Sequence, residues 1–89
     1  MAGQKVVVYD VATLRQYQNF LVSTGAEIGE LYSRLMTATE LQNGNWCDPQ
    51  YDALKSSIES YVSMARAQIT HLDNSADYIA RLVSKLEAI

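Results

Sequence analysis

Leu14, Leu21, Ile28 and Leu35 recur every seven residues, with Tyr17, Thr24, Leu31 and Ala38 interleaved three positions later. That spacing puts all eight on one stripe of a long helix, as a heptad seam. Asp10 has the side chain of an N-cap, and no proline interrupts the chain between it and Pro49. Asn43-Gly44 supplies residue types that tolerate a left-handed C-terminal turn, so the first helix is expected to run over about 10–42. A second pattern begins at Asp48-Pro49, an N-cap followed by proline at the first helical position, where its missing N–H costs nothing. From there Tyr51, Leu54, Ile58, Tyr61, Ala65, Gln68, Leu72, Ser75, Ile79, Leu82, Leu86 and Ile89 keep the same 3-4 spacing, which predicts a helix over about 48–88. Val62, Ile69, Ala76 and Val83 widen that stripe beyond a bare seam. Residues 1–9, with Val6-Val7-Val8, read as a short tail with an extended, β-branched segment.

The predicted fold is all-α: an antiparallel two-helix hairpin over 10–89, expected to pair into a dimeric four-helix bundle. If the chain reverses at the 43–48 loop and the arms run evenly, Leu35 faces Leu54, Leu31 faces Ile58, Ile28 faces Tyr61, Thr24 faces Ala65 and Tyr17 faces Leu72. Nearly every such pair is apolar, and large residues often meet small ones, as interdigitated layers require. The same rule lays Val7 against Leu82. Helix lengths of about 48 and 60 Å follow from a rise of ~1.5 Å per residue.

A hairpin buries only part of so broad an apolar surface. The first helix carries a further stripe, Val22, Gly25, Gly29, Tyr32 and Met36. Each interior glycine costs about 1 kcal/mol of helix stability relative to alanine, so a close approach of backbones is the expected reason for Gly25 and Gly29. These five residues are the candidate dimer interface. The expected partner is the chain itself, as a homodimer, or a similar helical hairpin.

Composition narrows the function classes. With 89 residues and 9.9 kDa the chain is one small domain, a size at which burial is limited. Its net charge is −3, and the seven cations are scattered without a basic stripe, so nucleic acid is not an expected partner. The apolar runs are too short for a signal peptide or a membrane span, so membrane insertion is not expected. The one cysteine makes no internal disulfide. Cys47 stands beside a helix N-terminus without a neighbouring base, and a reactive role is not expected. His71 is the only histidine, and Cys47 is too distant in sequence to share a local metal cluster with it. Asp73 and Asp77 share a helix face, which is ordinarily a solvated one. Phosphate loops and nucleophile elbows are absent. We expect no catalytic residues, no cofactor, no metal and no enzyme.

The only tryptophan lies in the loop, in the stretch Gly44-Asn45-Trp46-Cys47-Asp48-Pro49. A bulky side chain two residues before a helix cap can fold back onto the corner, so Trp46 is expected to touch Leu41, Tyr51 or Leu54 and to stay partly exposed. Two long helices, a short loop carrying Trp46, the cap Asp48-Pro49 and an apolar Leu54 on the second helix form the turn motif. Together they resemble the Trp-X-Gly (WXG) early-secreted-antigen-like hairpins of type VII secretion. The resemblance covers nearly the whole chain, with Asp48 where that family has its glycine. The family's C-terminal tyrosine with an acid four positions on has no counterpart here, since Tyr78 is followed by Leu82 and Tyr61 by Ala65. The resemblance implies a dimeric secretion substrate or export partner, made in the cytoplasm and exported by a secretion machine without a cleaved signal. Two other readings stand beside it: a needle- or filament-like assembly subunit, and a small helical adaptor or chaperone.

Overall fold

Two helices, α1 (Val11–Glu40) and α2 (Pro49–Glu87), make up the computed structural model, which describes residues 5–88. They pack against each other along their lengths as an antiparallel hairpin, the all-α fold that the two periodic segments predict. Residues 1–4 of the expected tail, and Ile89 at the end of the expected stripe, lie outside the described residues.

The helix ends follow from local chemistry. Asp10 is extended (φ −137°) and its carboxylate accepts from the Thr13 amide at 3.2 Å and the Thr13 hydroxyl at 2.6 Å. These two bonds, the hydroxyl first, hold the Asp10 carboxyl below its ordinary value. A carboxyl depressed in the folded state adds stability above its unfolded value and loses it as the pH falls through the folded one. Acidification is therefore expected to fray the first turn of α1. The check is the Cα chemical shifts of residues 11–14 against pH: Asp10→Asn, which still caps, should abolish the response.

α1 ends two residues earlier than the sequence suggests. The Gln42 amide bonds to Thr39 O and the Asn43 amide to Glu40 O, both at 3.1 Å and both three residues back, the tighter winding by which helix ends release their last carbonyls. Gly44 then takes φ +78°, with open space where a Cβ would point. The constraint there is the left-handed backbone itself, which costs an ordinary L-residue about 1–2 kcal/mol.

The two helices meet along a line that keeps Leu21, Tyr51, Ile58 and Ala65 of the expected seam but is rotated on α1 toward Gly25. Leu21, Gly25 and Thr39 are buried on α1, and Tyr51, Ile58, Ala65, Ala76 and Val83 on α2, with Val62 and Ile69 half-buried between them. The expected seam residues Leu31, Tyr17 and Tyr61 are instead about half exposed (57%, 53% and 48%), and Leu35 and Leu54 also remain at the surface. A Cβ placed on Gly25 would lie 3.7 Å from Ile69 Cγ2, and one on Gly29 would lie 3.6 Å from Ile69 Cδ1. The reason is size: Gly25, Gly29, Ala65 and Ala76 let the backbones approach, and dispersion contacts strengthen with closeness. A seam of Leu31 and Leu35 would hold the axes apart.

The register is shifted as well. Even arms closing at Thr39 and Tyr51 would put Gly25 beside Ala65, but it neighbours Ile69 and Asp73, one to two helical turns further on. Cβ atoms tilt toward the N-terminus of their own helix. Side chains of α1 therefore tilt away from the turn and those of α2 toward it, so a residue of α1 meets residues of α2 that lie further from the turn. At the open end Arg15 pairs with Glu87.

Residues 5–10 run alongside the last turns of α2. Val6 borders the same depression as Leu82 and Leu86, Val8 is half-buried, and Val6 and Val7 are both largely exposed, at 60% and 57%.

The spacing at the glycines gives opposite expectations for two substitutions. Gly29→Ala finds ordinary van der Waals room and should stabilise the hairpin by about 0.5–1 kcal/mol through helix propensity. Gly29→Leu should destabilise it by ~1–3 kcal/mol through overpacking against Ile69. Urea denaturation followed by helical circular dichroism distinguishes the two signs.

Candidate functional site

The loop corner holds the most specific polar geometry of the chain. Asp48 is extended, and its two carboxylate oxygens are used separately. Oδ1 accepts from the Gln50 amide at 2.9 Å and caps α2, while Oδ2 accepts from the Trp46 indole Nε1–H at 3.3 Å. Pro49 opens α2 as expected. The indole lies over Tyr51, with ring centroids 5.4 Å apart and planes at 52°, and stays 39% exposed. Of the three expected contacts, Tyr51 is the one the structure records, whereas Leu41 and Leu54 are exposed.

Tyr51 reaches back from the first turn of α2 to the last turn of α1. Its hydroxyl lies 2.6 Å from Thr39 O and 2.7 Å from Asn43 Oδ1, and its single proton is shared between them. Lys55 Nζ also reaches Asn43 Oδ1, at 3.3 Å. Thr39 turns its own hydroxyl onto Leu35 O at 2.7 Å, so this buried threonine is satisfied. Trp46, Asp48, Tyr51, Thr39 and Asn43 therefore form one connected clasp across the turn. The sequence pattern identified Trp46, Asp48 and Pro49, and placed Tyr51 as a seam residue and a contact of the indole but not as a hydrogen-bond donor across the turn. The signal for its second role was a tyrosine one turn into a helix, opposite the loop's Asn43.

Of the candidate interface residues, Gly25 is buried inside the hairpin, Gly29, Tyr32 and Met36 are half-buried, and Val22 is exposed. The close approach expected of the two glycines is made to α2 of the same chain. Gly29, Tyr32 and Met36 border a shallow depression of about 250 Å³ where Val62 and Ile69 stand beside Glu40 and Arg66, so this side of the hairpin mixes apolar and charged groups.

The opposite side is apolar. Tyr17, Thr24, Ile28, Leu31, Leu35 and Ala38 follow at three-, four- and seven-residue intervals along one flank of α1, and Leu54, Tyr61, Gln68 and Leu72 at four- and seven-residue intervals along one flank of α2. In an antiparallel pair these two flanks open on the same side. A depression of about 480 Å³ bordered by Ile28 from α1 and by Ala67, Gln68, His71 and Leu72 from α2 marks where they meet. Leu54, the last residue of the turn motif, belongs to this face.

Chemistry-bearing groups are sparse. Cys47 is a free, exposed thiol. Among the described residues no three His, Cys, Asp or Glu side chains gather into a metal-binding group, and no helix is long and apolar enough to cross a membrane. Comparison of the chain with protein-family models, with curated proteins and with solved structures gives no match.

Proposed function

We propose that this chain is a non-enzymatic interaction subunit whose open apolar face packs onto a second helical hairpin, its own copy or a similar chain, to complete a four-helix bundle. The single-layer shape carries this reading. The hairpin measures 62 × 26 × 15 Å with a radius of gyration of 19.5 Å, against about 12 Å for a compact chain of this length. Its accessible surface is 6928 Å², whereas a compact monomer of this mass exposes about 5,200 Å². Domains bury apolar faces between at least two layers, and here the second layer is missing on the side of Leu31, Leu35 and Tyr61.

The turn motif extends the reading to secretion. Trp46 in a short loop between two long helices supports a WXG-like export substrate or export partner. Here Asp48 replaces the family's glycine and fixes the indole through an oxygen that glycine lacks. Light-scattering mass across a range of concentrations tests the assembly, with twice 9.9 kDa expected and a monomer at all concentrations contradicting it. Export is tested in cells with and without a type VII machine: uncleaved protein should reach the medium only when the machine is present.

A further inference from the structure

The flank of α2 on the open side does not end at Leu72. It runs on through Ile79, Leu82 and Leu86, at intervals of seven, three and four residues, to the last turns of the helix. There its exposure changes. Leu82 lies five full turns beyond Met64, and Leu86 five full turns beyond Gln68, so each stands on the same line of the helix as its counterpart. Met64 is 55% exposed and Gln68 is exposed too, whereas Leu82 and Leu86 are half-buried. What this end has and the middle lacks is the non-helical segment of residues 5–9. Val6 borders the depression of about 540 Å³ that Tyr78, Leu82 and Leu86 also line, and Val8 is half-buried. We infer that residues 5–9 are a displaceable strap over the far end of the open apolar face, which a second hairpin must lift to engage α2 along its full length. The inference rests on the reading of that face as the interface with a second hairpin.

The strap is weakly held. Among the described residues no backbone hydrogen bond joins residues 5–9 to α2, so apolar contact alone keeps them in place. Segments with few buried contacts open locally at small cost in free energy. Their cover is also incomplete, since the depression remains open between Val6 and the leucines. A partner helix laid along the flank would cover Leu82 and Leu86 more fully, and it cannot do so while residues 5–9 occupy the same place. The two therefore compete for one surface. A site that is free only part of the time binds with an affinity reduced by that fraction. The centre of the face, at Leu31, Leu35 and Tyr61, lies clear of the strap, so the strap tunes association without preventing it.

Hydroxyl-radical labelling and sedimentation equilibrium of full-length V6S/V8S against wild type read the cover and the competition separately. In dilute protein, labelling of Leu82 and Leu86 should rise about two- to threefold in the variant. On concentration, the variant should associate about fivefold more tightly. Y9S, which changes a side chain that is 98% exposed, should alter neither. Unchanged labelling of both leucines in V6S/V8S would overturn the inference, because nothing would then have been uncovered. Raised labelling with unchanged association would overturn the competition, and weaker association would make residues 5–9 part of the interface instead. Raised labelling with association in neither protein would refute the interface reading itself, and the competition with it.

Discussion

Tyr51→Ala should cost about 3–5 kcal/mol, the usual loss for truncating a well-packed aromatic, and so remove most of the hairpin's stability. Tyr51 is 5% exposed, and it alone joins the end of α1, the loop and the indole. Three contacts go together: the bond to Thr39 O, the bond to Asn43 and the support under Trp46. Natural domains hold about 5–15 kcal/mol in total, and a single-layer hairpin with no large side chain fully buried belongs at the low end. Two milder variants separate the contributions. Tyr51→Phe leaves the ring in place and removes one hydrogen bond to Thr39 O, which keeps the bond from the Gln42 amide, at about 0.5–1.5 kcal/mol. Trp46→Ala removes a ring that is 39% exposed, for roughly 1–2 kcal/mol, less than the ~3–5 of a fully packed aromatic, and should lower the melting temperature by several degrees. Chemical denaturation of the three should find Tyr51→Ala the costliest by a clear margin. If Trp46→Ala proves the costliest, the indole and not the phenol is the keystone of the turn.

The second large effect is on assembly. Leu31 and Leu35 stand 57% and 38% exposed at the centre of the apolar flank of α1. Covering a leucine by a partner contributes about 1.5–3 kcal/mol, and a glutamate in its place adds the cost of burying a charge. L31E/L35E should therefore weaken association at least about a thousandfold. The helical hairpin itself should remain, because neither side chain is part of the buried line between α1 and α2. Ser33→Glu on the opposite side should leave association intact. Sedimentation equilibrium with circular dichroism reads both properties, and a helical L31E/L35E that still sediments as a dimer would move the interface elsewhere.

The elements of the fold are legible in the sequence because their signals are local. Asp10 and Asp48 cap where side-chain chemistry says they should, Pro49 opens α2, and Asn43-Gly44 lies where α1 unwinds. The rotation of α1 about its own axis is not legible in this way, whereas the buried residues of α2 all belong to its predicted stripe. α1 carries two stripes of 3-4 spacing, one of Leu31 and Leu35 and one of Gly25 and Gly29, and periodicity weights them alike. Residue size decides between them, since the small stripe permits the closer approach and leaves the larger residues outside. The clasp was half legible: Trp46 drew notice as a bulky residue among polar ones, but the tyrosine hydroxyl across the turn is a tertiary contact that spacing does not encode. The second carboxylate oxygen of Asp48, holding the indole, is hidden in sequence for the same reason.

Hydroxyl-radical footprinting of the wild-type protein at low and high concentration tests most directly whether the open apolar face is the one that becomes covered. Concentrating the protein should slow labelling of Tyr17, Leu31, Tyr61 and Met64 several-fold while leaving Tyr9 and Val22 unchanged. Protection of Val22, Tyr32 and Met36 instead, or no concentration dependence at any of these residues, would contradict it.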